Sequence, residues 1–403
     1  MVRRSTLAIA LPAVTLAASI VALAAGQQTR TFKSGIEIVL IDVNVVDQTH
    51  VPVADLTADD FIVSVDSKPR TVASAQFVRY DVRTSTAREK TQAQAPAAPQ
   101  QAVTPSAPPP ARNVLLVVDV DSMEPGDGLL LQQEAAKFID RLAPDDRVGV
   151  VAIPRIPATV ELTKNRQQVR AALGRVITGY ERARSQNYDI GTWEAFEAET
   201  DTAVLSRIIG RECHGSLSGA CAEEVRGEVR WLRTQERLRG ERSLEALRDL
   251  GLALQRIDGP KTMVLLSGGT PSPDRISRTW FALVAEALAA AQVSLYTLYL
   301  EQPDFQAKHR TSPTAGLDRL INRYGLEDAT SGSGGTFMEA IGSWDAYFNR
   351  IVTEMSGAYL LGIEVGPADR DGRPHNVSVK VKRAGVSVRA RTQYVIPADK
   401  KLP

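Results

Sequence analysis

Val114-Leu-Leu-Val-Val-Asp-Val-Asp-Ser-Met123 is the stretch that decides the fold. Five apolar residues in a row, four of them β-branched or followed by one, read as a strand covered on both faces, because a half-exposed strand would alternate with polar residues. An acidic and hydroxylic segment, Asp119, Asp121 and Ser122, follows at once, as expected where such a strand ends in a loop. Working outward, Gly128 to Leu142 places Leu131, Ala135, Phe138 and Leu142 on one helix face. Arg147-Val-Gly-Val-Val-Ala-Ile153 is a second strand and Gln167 to Ile177 a second helix. Thr262 to Ser267, Ile276 to Ala291, Val293 to Leu300, Gly316 to Tyr324 and Ser343 to Met355 continue the alternation of strand and helix. Regular β-α alternation predicts a doubly wound, mainly parallel sheet with helices on both faces.

The flanks differ from this core. Residues 33–82 alternate apolar and polar positions through Ile36, Ile38, Leu40, Val43 and Val45, then Phe61 to Val65 and Ala75 to Val78, and form an N-terminal β module. A module of about 50 residues is marginal on its own. Residues 83–111 are rich in Ala, Gln, Pro, Thr and Ser, the composition of a linker. Residues 358–396 return to strands at Tyr359 to Val365, Asn376 to Val381 and Val386 to Arg391. Three short strands need a partner sheet, so the two ends are expected to form one β-sandwich around the α/β domain of residues 112–357. Within that domain, residues 180–245 are highly charged and helical in pattern, and read as an insertion. Its Arg226, Arg230, Arg233 and Arg237 share one helix face, but Glu224, Glu228 and Glu236 interleave with them, so the face reads as solvated rather than as an anion-binding stripe.

Residues 1–25 have the pattern of a cleavable signal peptide. Arg3 and Arg4 precede an apolar run from Leu7 to Leu23, and Ala22-Leu-Ala24 fits an A-x-A cleavage site. The expectation is export, to the periplasm or outside the cell. No later run reaches the roughly 18 apolar residues that span a bilayer, since Trp280 to Leu300 is broken by Glu286, Gln292 and Ser294. In an oxidising compartment Cys213 and Cys221 are expected to pair and to staple a helical hairpin across the turn between them. The net charge of +1, which becomes −1 once Arg3 and Arg4 are removed, offers no electrostatic case for nucleic acid.

The order of the motifs resembles a von Willebrand factor type A domain, and more narrowly the VWFA-related proteins found widely in acidobacteria. The resemblance rests on Val114 to Met123 and Asp146-Arg-Val-Gly-Val-Val-Ala152. It extends to Leu56-Thr-Ala-Asp-Asp-Phe61, Leu244-Glu-Ala-Leu-Arg-Asp-Leu250, Lys261-Thr-Met-Val-Leu-Leu-Ser-Gly-Gly269 and Ser333-Gly-Gly-Thr-Phe337. Ala358-Tyr-Leu-Leu-Gly-Ile363 and Val388-Arg-Ala-Arg-Thr-Gln-Tyr394 close it. It implies a ligand-binding, non-catalytic site for a divalent cation such as Mg²⁺ at the carboxyl end of the sheet, with D-x-S-x-S in the first loop, a Thr in the second and an Asp in the third. Here Asp119 matches, Asp121 takes the place of the first Ser, and Met123, a poor ligand for a hard cation, takes that of the second. Ser122 lies between them, Thr192 is the candidate for the second loop, and Gly268 stands where the third-loop Asp is expected. Glu124, Asp127 and Asp274 lie in the same loops and are possible substitutes. Two readings follow: an altered cation site around Asp119, Asp121, Ser122 and Thr192, or an Asp119 that only holds loop hydrogen bonds at the end of a buried strand.

Enzyme readings find little support. Gly215-Ser-Leu-Ser-Gly219 misses the spacing of a nucleophile elbow, and Ser331-Gly-Ser-Gly-Gly335 lacks the Lys of a phosphate loop and reads as a turn into the last sheet strand. His50, His214, His309 and His375 are scattered, and His309 and His375, among charged turn residues, are expected at the surface. The functional expectation is an exported, non-enzymatic binding protein with an unidentified protein partner. The alternatives are a metal-independent assembly protein acting through the insertion, and a hydrolase of unfamiliar type.

Overall fold

A computed structural model describes residues 37–80, 112–123, 127–154, 162–178, 187–259, 261–271, 275–301, 313–341 and 343–396. The leader (1–25) and the whole of the linker (83–111) lie outside the described residues.

The chain begins with an N-terminal set of strands, β1 (Glu37–Val46), β2 (Phe61–Val65), β3 (Lys68–Arg70) and β4 (Val72–Arg79). The α/β domain follows as β5 (Asn113–Asp119), α1 (Asp127–Arg141), β6 (Arg147–Ile153) and α2 (Arg166–Thr178). The inserted helices are α3 (Thr192–Glu197), α4 (Thr202–Glu212) and α5 (Ala220–Leu254). Then come β7 (Lys261–Ser267), α6 (Arg275–Ala290), β8 (Val293–Glu301), α7 (Ala315–Gly332), β9 (Thr336–Ile341) and α8 (Asp345–Glu354). Strands β10 (Gly357–Val365), β11 (Pro374–Val381), β12 (Ser387–Ala390) and β13 (Gln393–Val395) close the chain.

The central sheet is parallel throughout, in the order β6-β5-β7-β8-β9. Every residue of β5 is buried, which explains its unbroken apolar run. Val114, Leu116 and Val118 pack into the core that includes Leu131 and Phe138 of α1, Leu173 of α2 and Phe348 of α8. Leu115 and Val117 point the other way, toward Leu247 of α5, Val284 of α6 and Leu326 of α7. The two faces thus carry three helices each, a mixed α/β architecture consistent with a von Willebrand A-like fold. Strand order reverses between β5 and β7, so the crevice at their carboxyl ends is the place where open α/β sheets bind ligands.

The two chain ends pair with each other. β1 runs antiparallel to β10 from Glu37 opposite Val365 to Val43 opposite Tyr359. β2 pairs with β11 from Phe61 opposite Val381 to Val65 opposite Val377. The resulting sheets, β12-β1-β10-β4 and β13-β11-β2-β3, enclose one apolar core. At its centre Tyr359 meets Phe61 and Phe77 edge-on, each at 5.1 Å, and its hydroxyl accepts the Leu56 N–H at 2.8 Å. β3 and β13, three residues each, are too short to show periodicity in the sequence.

The insertion has a small core of its own around Val204, Ile208, Val225 and Val229. Cys213 and Cys221 sit at disulfide distance, Cα–Cα 6.0 Å, and join the end of α4 to the start of α5. The expected boundary at residue 245 falls inside α5, which runs unbroken for 35 residues, about 52 Å. Its first half belongs to the insertion and its second half covers the sheet. Helix α7 extends beyond the expected Tyr324 to Gly332. One sequence expectation is corrected here: His375 lies buried on β11, held by Asp66 at 2.7 Å and Asp371 at 3.1 Å. The charged neighbours that suggested exposure are the groups that satisfy it when buried. His309 lies outside the described residues. Among the described residues no helix is long and apolar enough to cross a membrane.

Candidate functional site

Strand β5 delivers Asp119 to the carboxyl edge of the sheet, and a 3-10 turn, Val120–Ser122, carries the chain away from it. The Ser122 hydroxyl donates to the Asp119 carbonyl at 2.7 Å and accepts the Gly268 N–H at 2.8 Å. Ser267, the last residue of β7, donates to Asp119 Oδ2 at 2.9 Å and in turn accepts the Gly269 N–H at 3.1 Å. The second carboxylate oxygen, Oδ1, accepts the hydroxyl of Ser243, in the middle of α5, at 2.8 Å. Asp119 is 2% exposed. Burial pushes its carboxyl above the ordinary range, while the charge of Arg239 and the serine hydroxyls act to keep it ionised.

Arg239 lies one helical turn before Ser243 and is itself buried. Its guanidinium holds Glu236 at 2.8 Å, the Gly269 carbonyl at 2.9 Å and Asn322 Oδ1 of α7 at 3.1 Å. Asn322 also accepts the Thr270 N–H at 3.1 Å through its carbonyl. The loop after β7 is thereby pinned between α5 and α7. Only glycine fits there: a Cβ at 268 would overlap the Ser122 carbonyl, and at Gly269, with φ 110°, a Cβ would overlap Asn322.

The structure brings Asp119 and Ser122 together and leaves the other candidates apart. Asp121 is half-buried on the rim, where Arg242 faces it at 3.9 Å. Met123 packs against the apolar core on the α1 side. Thr192 opens α3, where the next N–H, that of Trp193, is bonded to Asp318 at 2.7 Å, and among the described residues no hydrogen bond joins Thr192 to Asp119. Glu124, Asp274 and the side chain of Asp127 lie outside the described residues.

A divalent cation needs several free oxygen ligands in octahedral or larger geometry. Here both carboxylate oxygens of Asp119 accept serine hydroxyls, and the Ser122 hydroxyl is committed to two backbone groups. Gly268 has neither a side chain nor room for one. Positive charge beside Asp119 comes from Arg239. Among the described residues no three His, Cys, Asp or Glu side chains gather as a metal-holding group. These residues hold one another and do not fit the cation. Nor do they form a nucleophile-base pair, since Ser243 and Ser267 both donate to a carboxylate, and the described histidines lie elsewhere: His50 beside Glu354, His214 in the α4–α5 turn, and His375 on β11.

Sequence reasoning missed Ser243, Arg239 and Asn322, and it placed Glu236 with the solvated face of the insertion although Glu236 is buried against Arg239. Glu236 and Arg239 stand three residues apart, a spacing that marks a helix-face ion pair. Nothing local shows that this pair is buried against the sheet edge.

No family model matches the chain, and no curated protein does. Among solved structures it is similar to the N-terminal domain of TFIIH p34, at 14% identity over 60% of this chain and 96% of that one, with a TM-score of 0.28. It is also similar to the manganese-loaded Plasmodium vivax TRAP protein, at 12% identity over 70% of this chain and 92% of that one, with a TM-score of 0.27. Neither likeness bears on what this chain binds.

Proposed function

We propose that this chain is an exported, non-enzymatic binding protein of the von Willebrand A-related kind, periplasmic or secreted, which meets a protein partner at the carboxyl edge of its parallel sheet without a metal ion. The observation that carries this reading is the closed knot at the switch point. Asp119 is sealed by Ser243 and Ser267 beside the buried Arg239, while Asp121 and Arg242 stand on the rim. Asp119 then builds the edge, and the rim residues meet the partner. The leader pattern and the Cys213–Cys221 pair both suit an oxidising compartment.

The test is capture of partners from the native exported fraction by the mature protein, in EDTA and in millimolar Mg²⁺. Partner retention that is equal in both, and lost in Asp121→Ala and Arg242→Ala, is expected. Loss of partners in EDTA would return the reading to a cation site. A second reading, docking through the insertion, is favoured by one observation: Trp231 and Leu238 are 48% and 39% exposed, seven residues apart on α5. Loss of capture in Trp231→Ala, with Asp121→Ala unaffected, would select it.

A further inference from the structure

The opposite end of the sheet carries a second polar site. Where the sandwich meets the amino-terminal edge of the parallel sheet, two adjoining cavities of about 50 and 30 Å³ share Asp42, Asn44, Ser294 and Tyr296 as walls. Their lining brings Arg112, Lys261, Arg389 and Arg391 together with a single carboxylate, Asp42. Two of these cations are matched. Arg112 makes a bidentate pair with Asp146 at 2.6 and 2.8 Å, and Arg391 pairs with Asp42 at 3.1 Å.

The remaining positive charge is matched only in part, Asp258 and Asp42 acting on Lys261 without an ion pair. Glu354, fully buried, is shared between Arg389 and Arg350, so one carboxylate serves two guanidiniums. Lys261, 6% exposed, donates its ammonium only to the carbonyls of Ile257 at 2.6 Å and Gly259 at 3.0 Å, and among the described residues it has no ion pair. An ammonium has three donors, so one is left over. Burial and the charge of Arg391 hold Lys261 below the ordinary lysine range. The hydroxyls of Ser294, Thr262 and Tyr80 also line the larger cavity, and among the described residues they have no hydrogen-bond partner.

A cavity with excess buried cations and uncommitted hydroxyls suits an anion that accepts several hydrogen bonds. A water needs about 10–15 Å³ on this scale, so the space takes a few waters or one tetrahedral group. We propose that this seam is a binding site for a small oxyanion of the phosphate class, held by Lys261, Ser294 and Thr262 from the α/β domain, with Arg389 of the sandwich lining the adjoining cavity. Because its walls come from both modules, the ligand would tie them together. This site is separate from the switch-point crevice and stands or falls apart from it.

The test is titration calorimetry of the full mature protein with sodium phosphate, and separately with glycerol phosphate, at fixed ionic strength and pH 7. Saturable binding of phosphate is expected, weakened at least tenfold in Lys261→Met and about threefold in the milder Ser294→Ala. Binding of glycerol phosphate as well would assign the site to phosphate esters, and binding of phosphate alone to the free ion. No saturable heat with either probe up to about 20 mM would overturn the proposal. So would unchanged affinity in Ser294→Ala together with Lys261→Met, each checked for a native circular dichroism spectrum. If Lys261→Met does not fold, unchanged affinity in the double variant Ser294→Ala/Thr262→Val decides against it.

Discussion

Replacing Arg239 by Met tests whether the carboxyl edge is held by an internal cation. The substitution keeps an unbranched side chain of similar reach and removes the guanidinium that holds Glu236, the Gly269 carbonyl and Asn322. Glu236 and Asp119, 5% and 2% exposed, lose their positive neighbour. Removing one partner of a buried pair costs about 3–5 kcal/mol, because the remaining charge stays desolvated. On the scale of a 150–250-residue domain, where 1 kcal/mol moves the midpoint by about 2–4 °C, that is a fall of about 6–20 °C. The assay is thermal and urea unfolding followed by circular dichroism, in EDTA and in Mg²⁺, at pH 7 and near pH 4. The Asp119 carboxyl is already pushed up by burial, and losing Arg239 raises it further. A group whose folded pKa is raised contributes stability below its unfolded pKa and loses it as pH climbs. The deficit of the variant should therefore shrink toward pH 4. The double variant Arg239→Met/Glu236→Met should recover part of the loss at pH 7. A loss under about 1 kcal/mol at pH 7, or a wild-type midpoint that drops in EDTA, would refute an edge held by Arg239.

Three further outcomes are expected. Gly268→Ala forces a methyl group into the Ser122 carbonyl and should cost about 1–3 kcal/mol by denaturant titration, with Gly174→Ala, which meets only the end of the Gln132 side chain, closer to neutral. Cys213→Ser should destabilise the insertion by about 2–3 kcal/mol, as expected for so short a closed loop, and hydrogen exchange should rise in α4 and the first half of α5 rather than in the sheet. Burial opposes the charge on His375, but hydrogen bonds to Asp66 and Asp371 outweigh it and raise its pKa. Its contribution is thus complete below about pH 6.5 and fades as pH rises through the raised value, so the midpoint gap between wild type and His375→Gln should be wider near pH 6 than near pH 9.

The α/β core was legible because its signal is local. Each residue of β5 is buried, so the composition of Val114–Val118 alone reports a strand covered on two faces, and the helix faces of α1 and α6 repeat at the helical period. The cysteine pair was legible too, since the turn between Cys213 and Cys221 brackets two helical patterns. What joins distant parts of the chain was only partly so. Pairing of the two ends was expected because short strands need partners, but the register that sets Val43 of β1 opposite Tyr359 of β10, some 300 residues away, depends on how the two sheets pack around their shared core. The site shows the limit most clearly. Asp119 could be found as a carboxylate at the end of a buried strand, with either a cation or hydrogen bonds to satisfy it. A buried charge takes its partners from whatever packs around it, and those partners, Ser243 and Arg239, arrive on a helix more than 100 residues later. Periodicity reports which face of an element is buried; only the packing of α5 across the sheet edge decided what Asp119 would meet there.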